Sequence, residues 1–274
     1  MRLDEWLRNA CARLDEAGIE SARLEAQVLA SHVLRVDRAW VLAHPEHDFP
    51  ELAGESVLVR RLSREPLAYI LGWREFYGRR FAVRPGVLIP RQETEVLVDA
   101  ALEVGSGMQR AKVLDLGTGS GCVGITLALE RKEWLVVASD LSFRALQIAD
   151  DNRTSLGAHV PLVNADRLGA WGSRCFDLIV TNPPYVGEGE VLMPEVSKWE
   201  PREALYAGDA GLAFYKALSE EGGRVLRESG VLLTELGINQ LEPVSALFES
   251  RGWRVLKTWK DLLGVDRVLA ATPP

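Results

Sequence analysis

Three cysteines in 274 residues, Cys11, Cys122 and Cys175, are odd in number and too widely spaced for a disulfide framework or a zinc cluster. Of the four histidines, only His44 and His47 stand close together, as H-x-x-H with Pro45 between them. No further ligand cluster accompanies the pair, so no metal site is expected. Long apolar runs are missing too, and none reaches the length of a membrane span. The first residues, MRLDEWLRNACARLDEAG, carry acids at amphipathic spacing where a signal peptide would have an unbroken apolar block. A cytoplasmic protein with no membrane partner is the expectation. Excess positive charge is also lacking, since the formal balance is −7. A protein that binds by neutralising many phosphates needs the opposite sign, so no stable nucleic-acid partner is expected. Local basic clusters do occur, at Arg60, Arg61 and Arg64 and at Arg74, Arg79, Arg80 and Arg84, of a kind that usually forms a solvated face.

What remains is the composition of a globular protein, 47% hydrophobic and 26% charged, long enough for one large domain or two small ones. Residues 1–66 read as a helical domain. Leu3, Leu7, Ala10 and Leu14 recur at helical spacing with Gly18 as a stop. Ser21 is placed to cap a second helix carrying Leu24, Val28, Leu29 and Val33. Pro50 opens a later helix carrying Leu52, Val57, Leu58 and Leu62. Residues 67–90 are rich in aromatic and β-branched residues, and Gly78 is placed to turn a short hairpin, which predicts a β-ribbon linker. Over 91–274, apolar runs alternate with helical patterns. The runs are 112–116, 135–139, 160–163, 176–181, 231–235, 253–258 and 267–270. Seven strands separated by helices predict an α/β fold, a mostly parallel Rossmann-like sheet with helices on both faces.

The strongest local signal is KVLDLGTGSGCVGITLALE. A strand ends near Asp115, a turn holds Gly117, Thr118, Gly119, Ser120 and Gly121, and a helix follows. Glycine lets backbone approach a ligand closely, and a helix N-terminus offers free N–H groups. Taken alone, such a turn can equally be a tight connection with no ligand. The next strand ends in Asp140, at the carboxyl edge where open α/β sheets bind ligands. An acid there can accept both hydroxyls of a ribose, and it can also cap the following helix. Asp166, with Arg167 after it, follows the third strand on the side where an adenine would lie.

The fourth strand ends in VTNPPYVG. Proline has no N–H, so Pro183 and Pro184 offer only carbonyl acceptors, and Asn182 is biased toward an extended conformation by the proline after it. The result is a stiff, uncharged acceptor rim. Asn182 and the Pro183 carbonyl can take the two hydrogens of a planar –NH₂ group, and Tyr185 can lie against the substrate plane or a cation. Such nitrogens are poor nucleophiles because their lone pair is delocalised. Positioning and electrostatic preorganisation are what they require, and no titrating base is needed.

A glycine turn, a ribose acid, an adenine-side acid and an acceptor rim on four successive strands resemble the fold of S-adenosylmethionine-dependent methyltransferases. The Asn-Pro-Pro-Tyr rim is similar to that of amino-methyltransferases acting on adenine, guanine or glutamine. The segments REPLAYILGWREFYG, FAVRPGVLIPRQETEVLV, NPPYV with WEPREALYAGDAGL, and DLLGVDRVLAA together resemble the release-factor glutamine methyltransferase family. The likeness runs from about residue 20 to the C-terminus. Nucleobase enzymes that share the rim lack the Leu-Ile-Pro-Arg and Glu-Pro-x-x-Ala-Leu stretches.

The resemblance implies transfer of a methyl group from S-adenosyl-L-methionine to the glutamine side-chain amide in the Gly-Gly-Gln motif of peptide chain release factors. It implies that Gly117 to Gly121, Asp140, Asp166, Arg167 and Asn182 bind the cofactor. Asn182, Pro183, Pro184 and Tyr185 would bind the substrate, with Asn182, Pro183 and Tyr185 catalytic. Residues 1–66 would dock the release factor, and the protein would act as a monomer. The chain departs from the family pattern at Gln92, where proline is frequent, and at Arg167, where some members have an aromatic residue. Two alternatives stand beside this reading. One is a methyltransferase for an exocyclic amine of adenine or guanine in RNA or DNA. The other is a non-catalytic, cofactor-binding assembly factor.

Overall fold

A computed structural model describes all residues, 1–274. Its first stretch is helical: α1 (Leu3–Glu16), α2 (Ala22–Leu34), α3 (Arg38–Ala43), α4 (Glu51–Leu62) and α5 (Leu67–Leu71). Leu3, Trp6, Ala10 and Leu14 form the buried stripe of α1, and Gly18 ends the segment with φ +70°. Ser21 precedes α2 without giving it a side-chain cap. The inward stripe of α4 is Gly54, Val57, Leu58 and Arg61, so Leu52 faces outward and is 90% exposed, contrary to the sequence expectation. Leu24 of α2 is likewise exposed, because Ala22, Ala26, Leu29 and Ala30 take the buried face. Gly54 is required by packing: a Cβ there would lie 2.3 Å from the Phe49 ring and 2.6 Å from the Trp6 indole. The H-x-x-H pair is part of this packing, with the His44 ring stacked on Trp40 and the His47 ring edge-on to it.

The remaining elements are a ribbon, β1 (Trp73–Phe76) and β2 (Arg79–Ala82), then α6 (Glu95–Val104), β3 (Lys112–Leu116), α7 (Cys122–Glu130), β4 (Leu135–Asp140), α8 (Phe143–Ser155), β5 (Leu162–Asn164), β6 (Phe176–Thr181), α9 (Pro194–Trp199), α10 (Ala213–Val225), β7 (Leu226–Glu235), α11 (Leu241–Glu249), β8 (Arg254–Lys260) and β9 (Asp266–Thr272). Tyr77 and Gly78, at φ +51° and +69°, turn the ribbon with the doubly left-handed geometry that suits a two-residue hairpin. Phe76 and Phe81 of the ribbon belong to the core that covers one face of the large sheet.

That sheet has seven strands in the order β5-β4-β3-β6-β7-β9-β8. All pairs from β5 to β7 are parallel, and β9 is antiparallel to both β7 and β8. The central strands read as nearly continuous apolar runs because helices cover both faces. β7 begins at Leu226, five residues before the expected Val231. Its early part, Arg227 to Gly230, is polar and gave no apolar signal, and a register shift against β6 accommodates it. The expected strand at 160–163 forms two residues later, as a three-residue edge strand.

The chain divides into two compact units, Met1–Trp73 with Leu192–Trp199, and Arg74–Val191 with Glu200–Pro274. The first unit therefore recruits α9 from far along the chain. A buried ion cluster fixes it there: Arg61 is 5% exposed and pairs with Glu25 at 2.5 Å and with Glu195 of α9 at 3.1 Å, while Arg64 reaches Glu195 at 2.9 Å. Arg60 pairs with Glu65, Arg79 with Glu130, and Arg84 with Asp151, so several of the clustered arginines meet carboxylates within their own unit.

Candidate active site

The glycine turn is held from below by the acid at the end of β3. Asp115, buried at the end of β3, accepts the Thr118 hydroxyl at 2.5 Å and the Gly124 N–H at 2.8 Å. Burial pushes its carboxyl up to about 6, against the pull of those two donors. A Cβ on Gly124 would fall 2.7 Å from the Asp115 carboxylate, so this first-turn position of α7 must be glycine. Gly117 and Gly119 have φ +72° and +56°, and nothing lies within 4 Å of where their Cβ atoms would be. The turn is thus bound firmly on its inner side and open on its outer side.

Asp140 closes the same turn from β4. Its Oδ2 accepts the Gly119 N–H and its Oδ1 accepts the Ser142 N–H, both at 2.8 Å. Burial raises its pKa, and the two backbone donors oppose that rise. A carboxylate has about four acceptor positions, so two remain for a ligand diol. Asp140 is not itself the cap of α8: Ser142 is, its Oγ accepting the Ala145 N–H at 3.2 Å, and Asp140 braces that capping residue. Asn164 fixes the neighbouring backbone by donating to the carbonyls of Asp140 and Leu141 at 2.9 and 2.8 Å. Arg167, at φ +44°, turns its guanidinium onto Asp166 at 3.2 Å.

Gly117, Gly119, Asp140, Asp166, Arg167, Asn182, Pro183 and Pro184 all line one cavity of about 510 Å³. Thr118, Ser120, Gly121 and Tyr185 do not line it. The Thr118 hydroxyl is used on Asp115, and the Ser120 carbonyl accepts from buried Asn152. Gly121 packs on Ile125 and Ala149, and the Tyr185 ring packs into the second core layer. The cavity size is within the roughly 300–1,000 Å³ usual for small-molecule sites. An open glycine turn, a diol acceptor and an apolar wall that includes Leu88, Ala145 and Phe214 suit a nucleoside cofactor.

The acceptor rim has supports that sequence reasoning missed. The Asn182 amide donates its Nδ2–H to Thr94 Oγ1 at 3.1 Å, which directs Oδ1 away as an acceptor. Thr94 is 2% exposed and ends the short 3-10 turn Gln92–Thr94 that follows Leu-Ile-Pro-Arg. Glu200 holds that segment in place, accepting the Ile89 N–H at 2.9 Å and pairing with Arg91 at 2.6 Å. Two stretches that carried the family resemblance, 109 and 111 residues apart at these two contacts, therefore form one support.

Behind the rim, the Tyr185 hydroxyl lies 3.3 Å from Glu235 Oε1 at the end of β7. Burial pushes Glu235 up to about 7. Thr94, Arg267 and Tyr185 favour its charged form, and no hydrogen bond reaches its Oε2. Burial, with the Glu235 charge, raises the Tyr185 phenol well above its ordinary value, so it stays protonated. Gln240 Nε2 donates to the Tyr185 carbonyl at 2.9 Å, and Gly211 passes so close that a Cβ would sit 2.3 Å from that oxygen. The signal that flagged Asp140, an acid ending a strand at the carboxyl edge, would also have found Glu235. Nothing local to Thr94 pointed to Asn182, which lies 88 residues further on.

Strand order, glycine turn and acceptor rim together define a Rossmann-like methyltransferase. Among solved structures, the human Mettl16 catalytic domain overlays with TM-score 0.57 at 17% identity, covering 79% of this chain and 81% of that one. A Thermus thermophilus 16S rRNA N2 G1207 methyltransferase overlays with TM-score 0.52 at 24% identity, covering 74% and 51%. At these identities the likeness is one of fold.

Sequence relatives are more specific. Residues 5–72 match the family described as PrmC N-terminal domain, and residues 92–197 match the one described as Methyltransferase small domain. Release factor glutamine methyltransferases of Koribacter versatilis (39% identical), Cereibacter sphaeroides (41%) and Geobacter sulfurreducens (40%) cover 100%, 100% and 97% of this chain, and 99%, 99% and 93% of their own length is covered. The chain belongs to the release factor glutamine methyltransferase family. No helix is long and apolar enough to cross a membrane.

Proposed function

We propose that this chain methylates the glutamine side-chain amide of the Gly-Gly-Gln loop of a peptide chain release factor, at the rim Asn182-Pro183-Pro184-Tyr185. The observation that carries the reading is the orientation of Asn182, whose Nδ2–H is committed to buried Thr94 and whose Oδ1 is left to accept. That oxygen and the Pro183 carbonyl take the two hydrogens of the acceptor amide and fix its nitrogen. S-adenosylmethionine, when bound, supplies an electrophilic methyl group. Asp140 binds its ribose hydroxyls, the open faces of Gly117 and Gly119 take the backbone-contacting part, and Asp166 and Arg167 border the base. Tyr185 acts behind the rim: its ring packs into the core beneath it, and its protonated hydroxyl answers Glu235. No group on the rim is basic, which suits an acceptor that is neutral throughout its approach.

The helical unit docks the body of the release factor. A short loop at one pocket offers little area, and a second contact raises its effective concentration at the rim. A Gly-Gly-Gln peptide should therefore be a far poorer substrate than the whole factor, with the difference in KM. The reading as a whole is tested by incubating the protein with labelled S-adenosylmethionine, release factor and RNA side by side. One methyl on the glutamine, abolished by glutamine→alanine in the factor, is expected. Label in RNA with none in the factor would replace this reading with the nucleobase one.

A further inference from the structure

The β8–β9 turn is Asp261-Leu262-Leu263-Gly264-Val265, and its two leucines are 94% and 85% exposed. A single exposed leucine needs no explanation, but an adjacent pair on a braced turn does. Asp261 Oδ1 accepts the N–H groups of Leu263 and Val265 at 2.9 and 3.0 Å, while Oδ2 pairs with Arg267 at 2.8 Å. The Asp261 N–H meets the Val265 carbonyl at 2.9 Å, and Gly264 turns at φ +81°. The leucines are thus held outward by a fixed backbone.

The turn also points to the right edge of the sheet. β9 runs antiparallel to β7 with Glu235 opposite Val268, and the Leu236 N–H continues the pairing onto the Arg267 carbonyl at 2.7 Å. The tip therefore leaves the sheet at the carboxyl end of β7, the edge that carries the acceptor rim. At about 4.8 Å per strand, β9 lies roughly 10 Å from β6. The other exposed large hydrophobics of this unit share the bias: Leu141, Phe143, Val191 and Ile238 follow strands at that edge, and only Leu135 and Leu256 lie elsewhere.

The geometry points to Leu262–Leu263 as a preformed apolar lip that packs against the release factor beside its methylated loop. This rests on the functional reading above. The surrounding charges favour a protein surface over an anionic lipid one, because Lys260 is paired with Asp266 and Arg267 with Asp261, leaving no basic surplus at the tip. An apolar centre ringed by compensated polar groups is the anatomy of a protein–protein contact.

The test compares wild type with the Leu262→Ser/Leu263→Ser double variant. It measures kcat and KM on the whole release factor, kcat/KM on a short Gly-Gly-Gln peptide, and cofactor affinity. Losing the burial of two leucines should raise KM for the whole factor about tenfold or more. Peptide turnover and cofactor affinity should be unchanged, and Leu262→Met/Leu263→Met should restore the KM. An unchanged KM on the whole factor overturns the proposal. Parallel losses on factor and peptide overturn it too, since the tip would then be supporting the pocket. So does a wild-type dimer that the variant dissolves with KM unaltered, which would make the lip a self-contact. Wild type that leaves the factor unlabelled overturns the functional reading, and the lip with it.

Discussion

The cofactor wall and the acceptor rim lie on the same sheet edge, one strand apart, yet are built by opposite means. The wall is local and charged. Asp115 to Gly124 fold onto each other within ten residues, and Asp140 joins through backbone N–H groups. The rim is uncharged at its surface and is held by Thr94, by Gly211, and by Glu235 with Gln240, from three separate stretches of chain. On the proposed reading, a wall that binds the same nucleoside at every turnover needs fixed acceptors. A rim that orients a weak neutral nucleophile needs exact placement without a charge, and its placement is delegated to buried groups behind it.

Changes on the two sides should therefore separate in what they alter. Asn182→Ala should have the largest effect, lowering methyl transfer about a hundredfold or more with cofactor affinity little changed. A variant that is active, or impaired only in cofactor binding, would dissolve the distinction. Asp140→Ala should do the reverse, weakening S-adenosylmethionine by about one to two decades for the loss of charge-assisted hydrogen bonds. Calorimetry showing unchanged affinity would remove Asp140 from the wall.

Glu235 sharpens the comparison through pH. Its folded pKa, about 7, lies above its ordinary value of 4.5, so its contribution to stability is present below about 4.5 and is lost as pH rises through 7. Between pH 5 and 8 this amounts to about 2 kcal/mol, and Glu235→Gln should flatten the corresponding fall in unfolding free energy. Parallel pH profiles for wild type and variant would show that this carboxyl is ordinary. Thr94→Val should be the mildest change. It keeps shape but removes one acceptor from Asn182, lowering kcat by about tenfold or less without altering cofactor affinity. An effect on cofactor binding instead of turnover would move Thr94 to the wall.

The same contrast explains what was legible in the sequence. The wall was readable because its residues are contiguous and glycine reports backbone geometry directly. The central strands were readable because burial on both faces makes them continuously apolar, except where Arg227 to Gly230 carry β7 beyond its apolar part, while the edge strands β5 and β8 hold no buried residue. The rim itself was readable, because Asn-Pro-Pro-Tyr is a chemical statement. Its supports were not. Thr94 is an ordinary threonine until the chain returns Asn182 to it, and Glu200 becomes a brace only when the fold brings Ile89 and Arg91 to its carboxylate. The recruitment of α9 to the helical unit was hidden for the same reason, since it depends on Glu195 meeting Arg61 and Arg64 from more than a hundred residues away.

The most direct test of the division between wall and rim is the single-turnover methyl-transfer rate of Asp140→Ala and Asn182→Ala at saturating cofactor, on whole release factor. Asp140→Ala should then approach the wild-type rate, because its defect lies in a ligand now supplied in excess. Asn182→Ala should remain slower by about a hundredfold or more, because no concentration of either substrate restores the orientation of the acceptor nitrogen. Equal residual defects in the two variants would contradict the account.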